Sequence, residues 1–550
     1  MTAPSSHLRT AAGHHDVVLL GAHLATGIAA AALARAGLRT ALVRDAGEPD
    51  LPVGQSTVPY TAELFELVAD RFALPELRDL ALFSRVPAPL AGRSGAKRCL
   101  SFAHHVDGTT RTQDLQFVVP SEHEEWHPHR PGLDEWAVEL AASAGVTVLD
   151  SAGAPGLRHD PATGTWTIEP TTAGPITAGP ITAGFLVNGS GRRDPAWLGG
   201  LGARWQDEAG PWTSVHAHLV TSAPDGEGRH RHQPAVPHAL GWDDGTTLVA
   251  CRDGLVQVAP LGRADGARTT AVWLTVDTRA APVRAAVAGT AVDLLRVLGT
   301  GNPVLTALAE RVVAVEHESR CPAFGAVDAP ADRSVLFLER AATHGPQLLS
   351  RDVTETLEVL CRVLPPVIRR LRSGSVPDVV ALAAAQRQIV AGHRRWVDTA
   401  LRCRRSWPRW NAFLRVWLLW TIMGALSIKR ERLAGLADDW RALDARPDDP
   451  HWYAPPQALA ALVDDALDRL AVPAEQVCDA GAVFARLRRD RIVPPLFDFG
   501  DPRARSYRLT PLRRLRMLLW ATCTGRADLH RLLTPDNVTG RVRGAVPQHS

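Results

Sequence analysis

Residues 16–45, DVVLLGAHLATGIAAAALARAGLRTALVRD, restrict the possible folds of this chain more than any other stretch. An apolar run from Val17 to Leu20 reads as a strand, a turn follows, then an Ala-rich helix, then a second apolar run from Thr40 to Val43 that ends at Asp45. Strand, helix and strand in such close succession form a βαβ unit with parallel strands. The helix then offers its N-terminal N–H groups to an anion beside the strand ends. A dinucleotide-binding unit would carry G-x-G-x-x-G in this turn. Here the turn is Gly21, Ala22, His23, Leu24, Ala25, Thr26, and only the first glycine is in place. The middle glycine normally lets the backbone approach a pyrophosphate, so the imidazole of His23 would crowd it. Asp45 stands where an acidic residue takes the adenosine ribose, and Arg44 beside it is an alternative for that contact.

Beyond this unit the patterns change in order. A loop holding LPVGQSTVPY leads to a helix over about 61–82, and CLSFAHHV alternates like a strand. RPGLDEWAVELAASAGVTVLD reads as helix then strand, and the tandem TTAGPITAGPITAGF (171–185) reads as an expanded surface hairpin. Strand-like runs fill Trp212 to Asp277, and helical spacing dominates from about Asp352 onward. The predicted fold is α/β, mixed with α+β: a Rossmann-like FAD/NAD-binding domain, an inserted antiparallel substrate sheet and a helical C-terminal region. The expected divisions are 1–15 as a flexible N-terminus, 16–210 with 320–350 as the nucleotide domain, 211–319 as the sheet and 351–550 as the helical part.

The 550 residues suffice for several domain-sized units, and 45% hydrophobic with 22% charged residues is ordinary for a soluble protein. A net charge of +3 gives no case for nucleic acid. Seven scattered cysteines (99, 251, 321, 361, 403, 478, 523), with no C-x-x-C pair, suit reduced thiols in a cytoplasm. The first residues lack the apolar core of a secretory signal. VWLLWTIMGAL (416–426), at 11 residues, is too short for a membrane span and reads as a buried helix or pocket wall. The run from His123 through Glu124, Glu125 and His127 to His129 lacks metal-ligand spacing and reads as a solvated or substrate-facing loop. Trp407, Trp410, Trp417 and Trp420 have helical spacing and read as core. RLTPLRRLRMLLW reads as a helix with a solvated Arg face and apolar Leu512, Leu515, Leu518 and Leu519.

Several stretches together resemble the flavin-dependent halogenases, the FADH2- and oxygen-using group within the aromatic-hydroxylase-like flavoprotein fold. VGQSTVPYTAELFELVADRF is similar to that family's V-G-E-S-T-x-P segment, and SGAKRCLSFAHH to the stretch carrying its catalytic lysine. HPHRPGLDEWAVELAASAGV resembles its Arg-x-x-x-Asp helix, FLVNGSGRRDPAWLGGLGAR its D-G-S-G segment, and LLSRDVTETLEVL and WPRWNAFLRVWLL two later helices. The matches keep family order over most of residues 16–430. The departures fall at the chemistry. Leu255 and Gln257 replace two tryptophans of W-x-W-x-I-P, leaving Pro260. ATHGPQLLS keeps Pro346, Leu348 and Ser350 of the stretch along the flavin but loses Phe-Ile-Asp at Thr343 to Gly345, and Gln55 replaces a glutamate.

The resemblance implies FAD as cofactor, weakened or lost, with Gly21, His23, Thr26, Asp45, Gln55, Ser56, Arg130, Gly191 and Pro346 around it. It implies Lys97 and Ser350 at the chemistry, the lysine relaying hypohalous acid to substrate. Lys97 also has an argument of its own. The chain has two lysines, Lys97 and Lys429, against 59 arginines. Arginine cannot shed its proton to become an amine, whereas lysine can, so a lysine retained here suggests a needed amine. Lys429 reads as helix surface. Three functions stay open. One is a flavin-linked, halogenase-like oxidoreductase tailoring an aromatic or polyketide-type secondary metabolite, outside standard halogenation. The others are a flavin-independent enzyme of cyclisation or acid/base rearrangement, and a catalytically dead partner homologue. The expected partners are a free or carrier-bound small molecule and a flavin reductase, without nucleic acid or membrane, in a monomer or homodimer.

Overall fold

The computed structural model describes residues 13–48, 55–105, 112–120, 124–171, 179–222, 236, 239–264, 267–328, 334–444, 457–473, 478–494 and 498–523. β1 (His14–Leu20), α1 (Leu24–Arg35) and β2 (Thr40–Asp45) form the expected unit, with the two strands parallel. Ala-rich α1 is buried almost all round because it is sandwiched. On one side Gly27 lets it cross the helix Arg130–Ser143 so closely that a Cβ would lie 2.6 Å from the Ala137 carbonyl oxygen.

Among the described residues β1 and β2 belong to a seven-stranded sheet ordered Thr147–Ser151, β2, β1, Ile181–Asn188, Thr165–Glu169, Gly156–Asp160, with Val335–Phe337 also parallel to Ile181–Asn188. Thr165–Glu169 and Ile181–Asn188 pair antiparallel, as a hairpin over the 171–185 repeat requires, but 172–178 lie outside the described residues.

The predicted antiparallel strands are Trp212–Thr221, Gly245–Cys251, Gly254–Ala264 and Ala267–Asp277, within an eight-stranded sheet. It recruits Val312–Pro322 on one side and, on the other, Cys99–His105 (parallel to Gly245–Cys251), Thr112–Val118 and Ser506–Tyr507. Strands outside 211–319 therefore complete this sheet. Period-two alternation gives it two unlike faces. Val215, Ala217, Leu219, Val256, Val258, Val272 and Leu274 form a core with the helices Ala281–Val287, Ala291–Leu298 and Pro303–Glu310. Ser214, His216, His218, Gln257 and Trp273 occupy the other face, which turns toward the segment Thr343–Ser350.

From Asp352 the chain is mostly helical, with Asp352–Arg372, Val379–Cys403 and Trp407–Asp438 the longest helices. Trp407–Asp438 is long and apolar enough to cross a membrane, yet most of it is buried among its neighbours. Trp410, Trp417 and Trp420 are core residues, Trp407 is packed against that core, and Trp417 meets Phe102 edge-on at 6.0 Å. Two sequence expectations need correcting. Lys429 is buried in this helix near the Glu63 carboxylate, because its face meets the helix Pro59–Arg71 rather than water. Leu512, Leu515 and Leu519, expected on an apolar packing side, are exposed on the helix Pro511–Cys523.

Candidate functional site

The turn between β1 and α1 is built around Gly21, whose φ of +97° suits glycine. His23 caps the helix without its side chain bonding there, and Thr26 supplies the bonds instead. The Thr26 hydroxyl donates to the Gly21 carbonyl (2.7 Å) and accepts from the His23 N–H (3.1 Å). The remaining amides point at carboxylates. Glu48 accepts from the N–H of Gly191 (2.7 Å) and of Ala22 (3.3 Å), and its Oε1 lies 2.7 Å from His23 Nε2. Asp134 accepts from the Leu24 N–H at 2.7 Å and lies 3.7 Å from His23 Nδ1. Burial alone would lower the pKa of His23, but the two carboxylates push it up to about 10. At neutral pH it is an imidazolium.

From Asp134 the charges continue inward. Arg130 donates to half-buried Asp134 (2.8 Å) and to Asp352 (2.5 Å), which opens the helix Asp352–Arg372, and Arg340 pairs with Asp352 and Glu339; Arg130, Arg340, Glu339 and Asp352 are buried. Burial pushes the Glu339 carboxyl up to about 7. Its residue holds φ +52°, and Leu349 (+65°) and Ser350 (+55°) repeat this left-handed geometry at the end of the segment Thr343–Ser350. Non-glycine residues held so cost energy and concentrate at functional sites. Asp45 is taken by Arg192 and by the Gly47 N–H (2.8 Å), while Arg44 points away to exposed Asp150.

A test of whether this cradle suits a pyrophosphate gives a positive result. The Glu48 carboxylate is itself an anion seated on amides from two turns. Ser190 Oγ, on the turn that Gly21 packs against, Asn188 Nδ2 just before it, and Arg130 Nη2, whose Nε holds Asp134, are buried with no hydrogen-bond partner. The donor set fits an anion with more oxygens than one carboxylate has.

Further along, Lys97, placed between the short strand Gly95–Ala96 and Cys99–His105, is fully enclosed. Its Nζ donates to the Thr57 carbonyl and lies 2.7 Å from Glu125 Oε2. The amine thus sits in a buried ion pair, and Glu125 and His127, read from sequence as part of a solvated or substrate-facing loop, are buried. His123 lies outside the described residues, and no metal-ligating cluster occurs among them. His127 has its pKa driven down to about 3 by burial and by the Lys97 charge. Neutral His127 donates from Nδ1 to the Pro260 carbonyl (2.8 Å), so its Nε2 accepts from Thr246 (2.9 Å). That fixes the direction of the next bonds: Ser56 donates to Thr246 (2.8 Å), and Ser350 donates to Ser56 (2.9 Å). Lys97, Ser56 and Ser350 therefore converge through Thr57 and one chain of hydroxyls.

A small cavity lies between the polar sheet face and the segment Thr343–Ser350, lined by Ser214, His216, Trp273, Thr275, His344 and Gln347. His216 stacks on Trp273 with ring centroids 5.0 Å apart. Burial holds His216 and His344 well below the usual histidine range, so both are neutral. Ser214 Oγ, Trp273 Nε1, both His216 nitrogens and His344 Nδ1 are buried without partners. Gln55 donates to His218 at 2.6 Å beside them. Pro346 is buried in the same segment. Sequence reasoning missed Glu48, Asp352, Arg340, Thr246, His216 and Trp273, while Asp134 was touched only as the aspartate of the Arg-x-x-x-Asp helix. Among the missed residues, only His216 and Trp273 had a local signal, the alternation of WTSVHAHLV and of AVWLTVD. Trp273 pairs with Gln257, so it returns an indole to the face where Gln257 lacks one.

No family model matches the chain. It is 24% identical over 557 residues to the tetracycline 7-halogenase of Kitasatospora aureofaciens, covering 94% of this chain and 95% of that protein. It is 27% identical over 152 residues to the monodechloroaminopyrrolnitrin halogenase PrnC of Pseudomonas fluorescens, 27% of each chain. In fold it is similar to halogenase PltM, solved with phloroglucinol and FAD, at a TM-score of 0.73 and 18% identity over 90% of this chain and 99% of that one. The myxobacterial chondrochloren halogenase CndH follows at 0.52 and 14%, over 72% and 84%. In sequence over nearly its full length, and in fold, the chain is thus similar to flavin-dependent halogenases.

Proposed function

We propose that the chain is an FAD-linked oxidoreductase of halogenase type that tailors an aromatic or polyketide-type small molecule, free or carrier-bound, by chemistry outside standard halogenation. The observation that carries the reading is Lys97: one of two lysines, its amine buried against Glu125 and joined through the Thr57 segment to the Ser56–Ser350 hydroxyls. The amides of the turn at Gly21, with Arg130, Ser190 and Gly191, would hold the diphosphate, and Asp45 the ribose. Reduced FAD supplies the electrons that activate oxygen, and a flavin reductase in the same cytoplasm would deliver it. The chain's own part is to exclude water, orient substrate against Trp273 and the neutral imidazoles of His216 and His344, and present the Lys97 amine once Glu125 releases it. Leu255 and Gln257 in the tryptophan positions support chemistry other than halogenation.

The test is mass-spectrometric detection of a modified product. Phenolic and polyketide-type compounds would be incubated with enzymatically reduced FAD and oxygen, with and without halide, using native protein and Lys97→Arg. A product that needs FAD and Lys97, and forms without halide, is expected. Failure of native protein to bind FAD overturns the reading. It would favour the flavin-independent enzyme, which the carboxylates on the α1 amides already support.

A further inference from the structure

We infer that Glu48 is a built-in competitor for the cofactor's phosphates, clamped in place by His23, and that this pair sets the affinity for FAD; the inference rests on the FAD reading above. Two N–H groups from separate turns, Ala22 before α1 and Gly191 after Ile181–Asn188, converge on the one Glu48 carboxylate at 3.3 and 2.7 Å. Gly21 leaves bare backbone beneath it: a Cβ there would lie 2.9 Å from Glu48 Oε1 and 2.8 Å from the backbone of Ser190. Glu48 therefore packs directly on the turn, at the helix N-terminus where a phosphate sits in an intact glycine-rich turn. His23, in the position of the middle glycine, grips the same carboxylate at 2.7 Å, and Asp134 braces the other side of its ring.

A pyrophosphate brings negative charge to the seat that Glu48 fills. Two anions at contact distance repel strongly in a half-buried site, so one must leave before the other docks. Ser190 Oγ, buried and unpartnered on the turn against Gly21, is a donor that Glu48 does not engage. It would reward the larger anion once Glu48 swings out. The loss of glycine at 23 is thus a gain of a clamp as well as a steric obstacle.

The experiment uses the full chain and two probes, FAD and riboflavin, which lacks phosphates, with affinities read from quenching of flavin fluorescence. Glu48→Ala and His23→Gly are expected to bind FAD at least about tenfold more tightly than native protein, with a smaller gain for Glu48→Gln and no change for riboflavin. The same variants are expected to melt at lower temperature without flavin, because the Ala22 and Gly191 N–H groups lose their partner. A Glu48 with a structural role alone would lose stability and FAD affinity together. Glu48→Gln, which keeps an acceptor on the amides, reads out the charge should Glu48→Ala fold poorly. If native protein binds FAD and no variant binds it more tightly, or riboflavin gains equally, the competition is refuted while the FAD reading stands. If neither native protein nor any variant binds FAD, both fall.

Discussion

Lys97 Nζ and Glu125 Oε2 lie 2.7 Å apart, with side-chain exposures of 0% and 3%. Removing one member of such a pair strands a charge in the core, whereas removing both does not. Lys97→Met is therefore expected to lose about 3–5 kcal/mol of stability, and Lys97→Met/Glu125→Met to recover most of it, as a double-mutant cycle in urea would show. Turnover is expected to vanish in both, which separates the amine's chemical role from its structural one.

The imidazolium of His23 makes stability depend on pH. Its pKa rises from 6.5 unfolded to about 10 folded, so its contribution is complete below pH 6.5 and is lost as pH climbs through 10. His23→Gln is expected to be destabilised by roughly 2–4 kcal/mol at pH 6 and to converge on native protein near pH 10. Melting curves of both proteins across that range check it.

Thr26 occupies the other vanished glycine of the turn, yet its hydroxyl holds the first turn of α1 together. Thr26→Gly is expected to cost about 1–2 kcal/mol, as loss of a helix cap does, with Thr26→Ser close to native. Glycine at 23 and glycine at 26 should both lower the urea midpoint of the cofactor-free protein, but only glycine at 23 opens the cradle. Flavin-fluorescence titration of the single variants distinguishes them.

The hydroxyl chain from Ser350 to His127 requires a neutral imidazole with its proton on Nδ1. Nitrogen-detected NMR of His127 is expected to show that tautomer unchanged down to about pH 4. Thr246→Val breaks the chain in its middle and leaves His127 Nε2 buried without a donor and the Ser56 O–H without its acceptor, at an expected cost of about 1–3 kcal/mol in urea unfolding.

The parts of the fold carried by local periodicity were legible. β1, α1 and β2 begin and end within a few residues of their apolar runs, and the strands between Trp212 and Asp277 follow from alternation. The sheet's recruitment of Cys99–His105 and Val312–Pro322 was not, since nothing local to those strands names their neighbours. The site divides the same way. Lys97 could be singled out by composition, but its partner Glu125 looked like one acid in a polar loop. Glu48 meets Gly191 across 143 residues, and Arg130 meets Asp352 across 222. Such contacts belong to tertiary packing. Lys429 failed for a related reason: a basic residue among arginines on a helix reads as surface until the helix Pro59–Arg71 covers it.

Both lysines of this chain are enclosed, Lys97 at 2% and Lys429 at 7% exposure. An amine-reactive label added to the folded protein therefore reaches neither lysine side chain. Arginine carries almost all the positive charge and does not react. Uptake of label on lysine, located by mass spectrometry, would record the opening of the Lys97 and Lys429 pockets one by one.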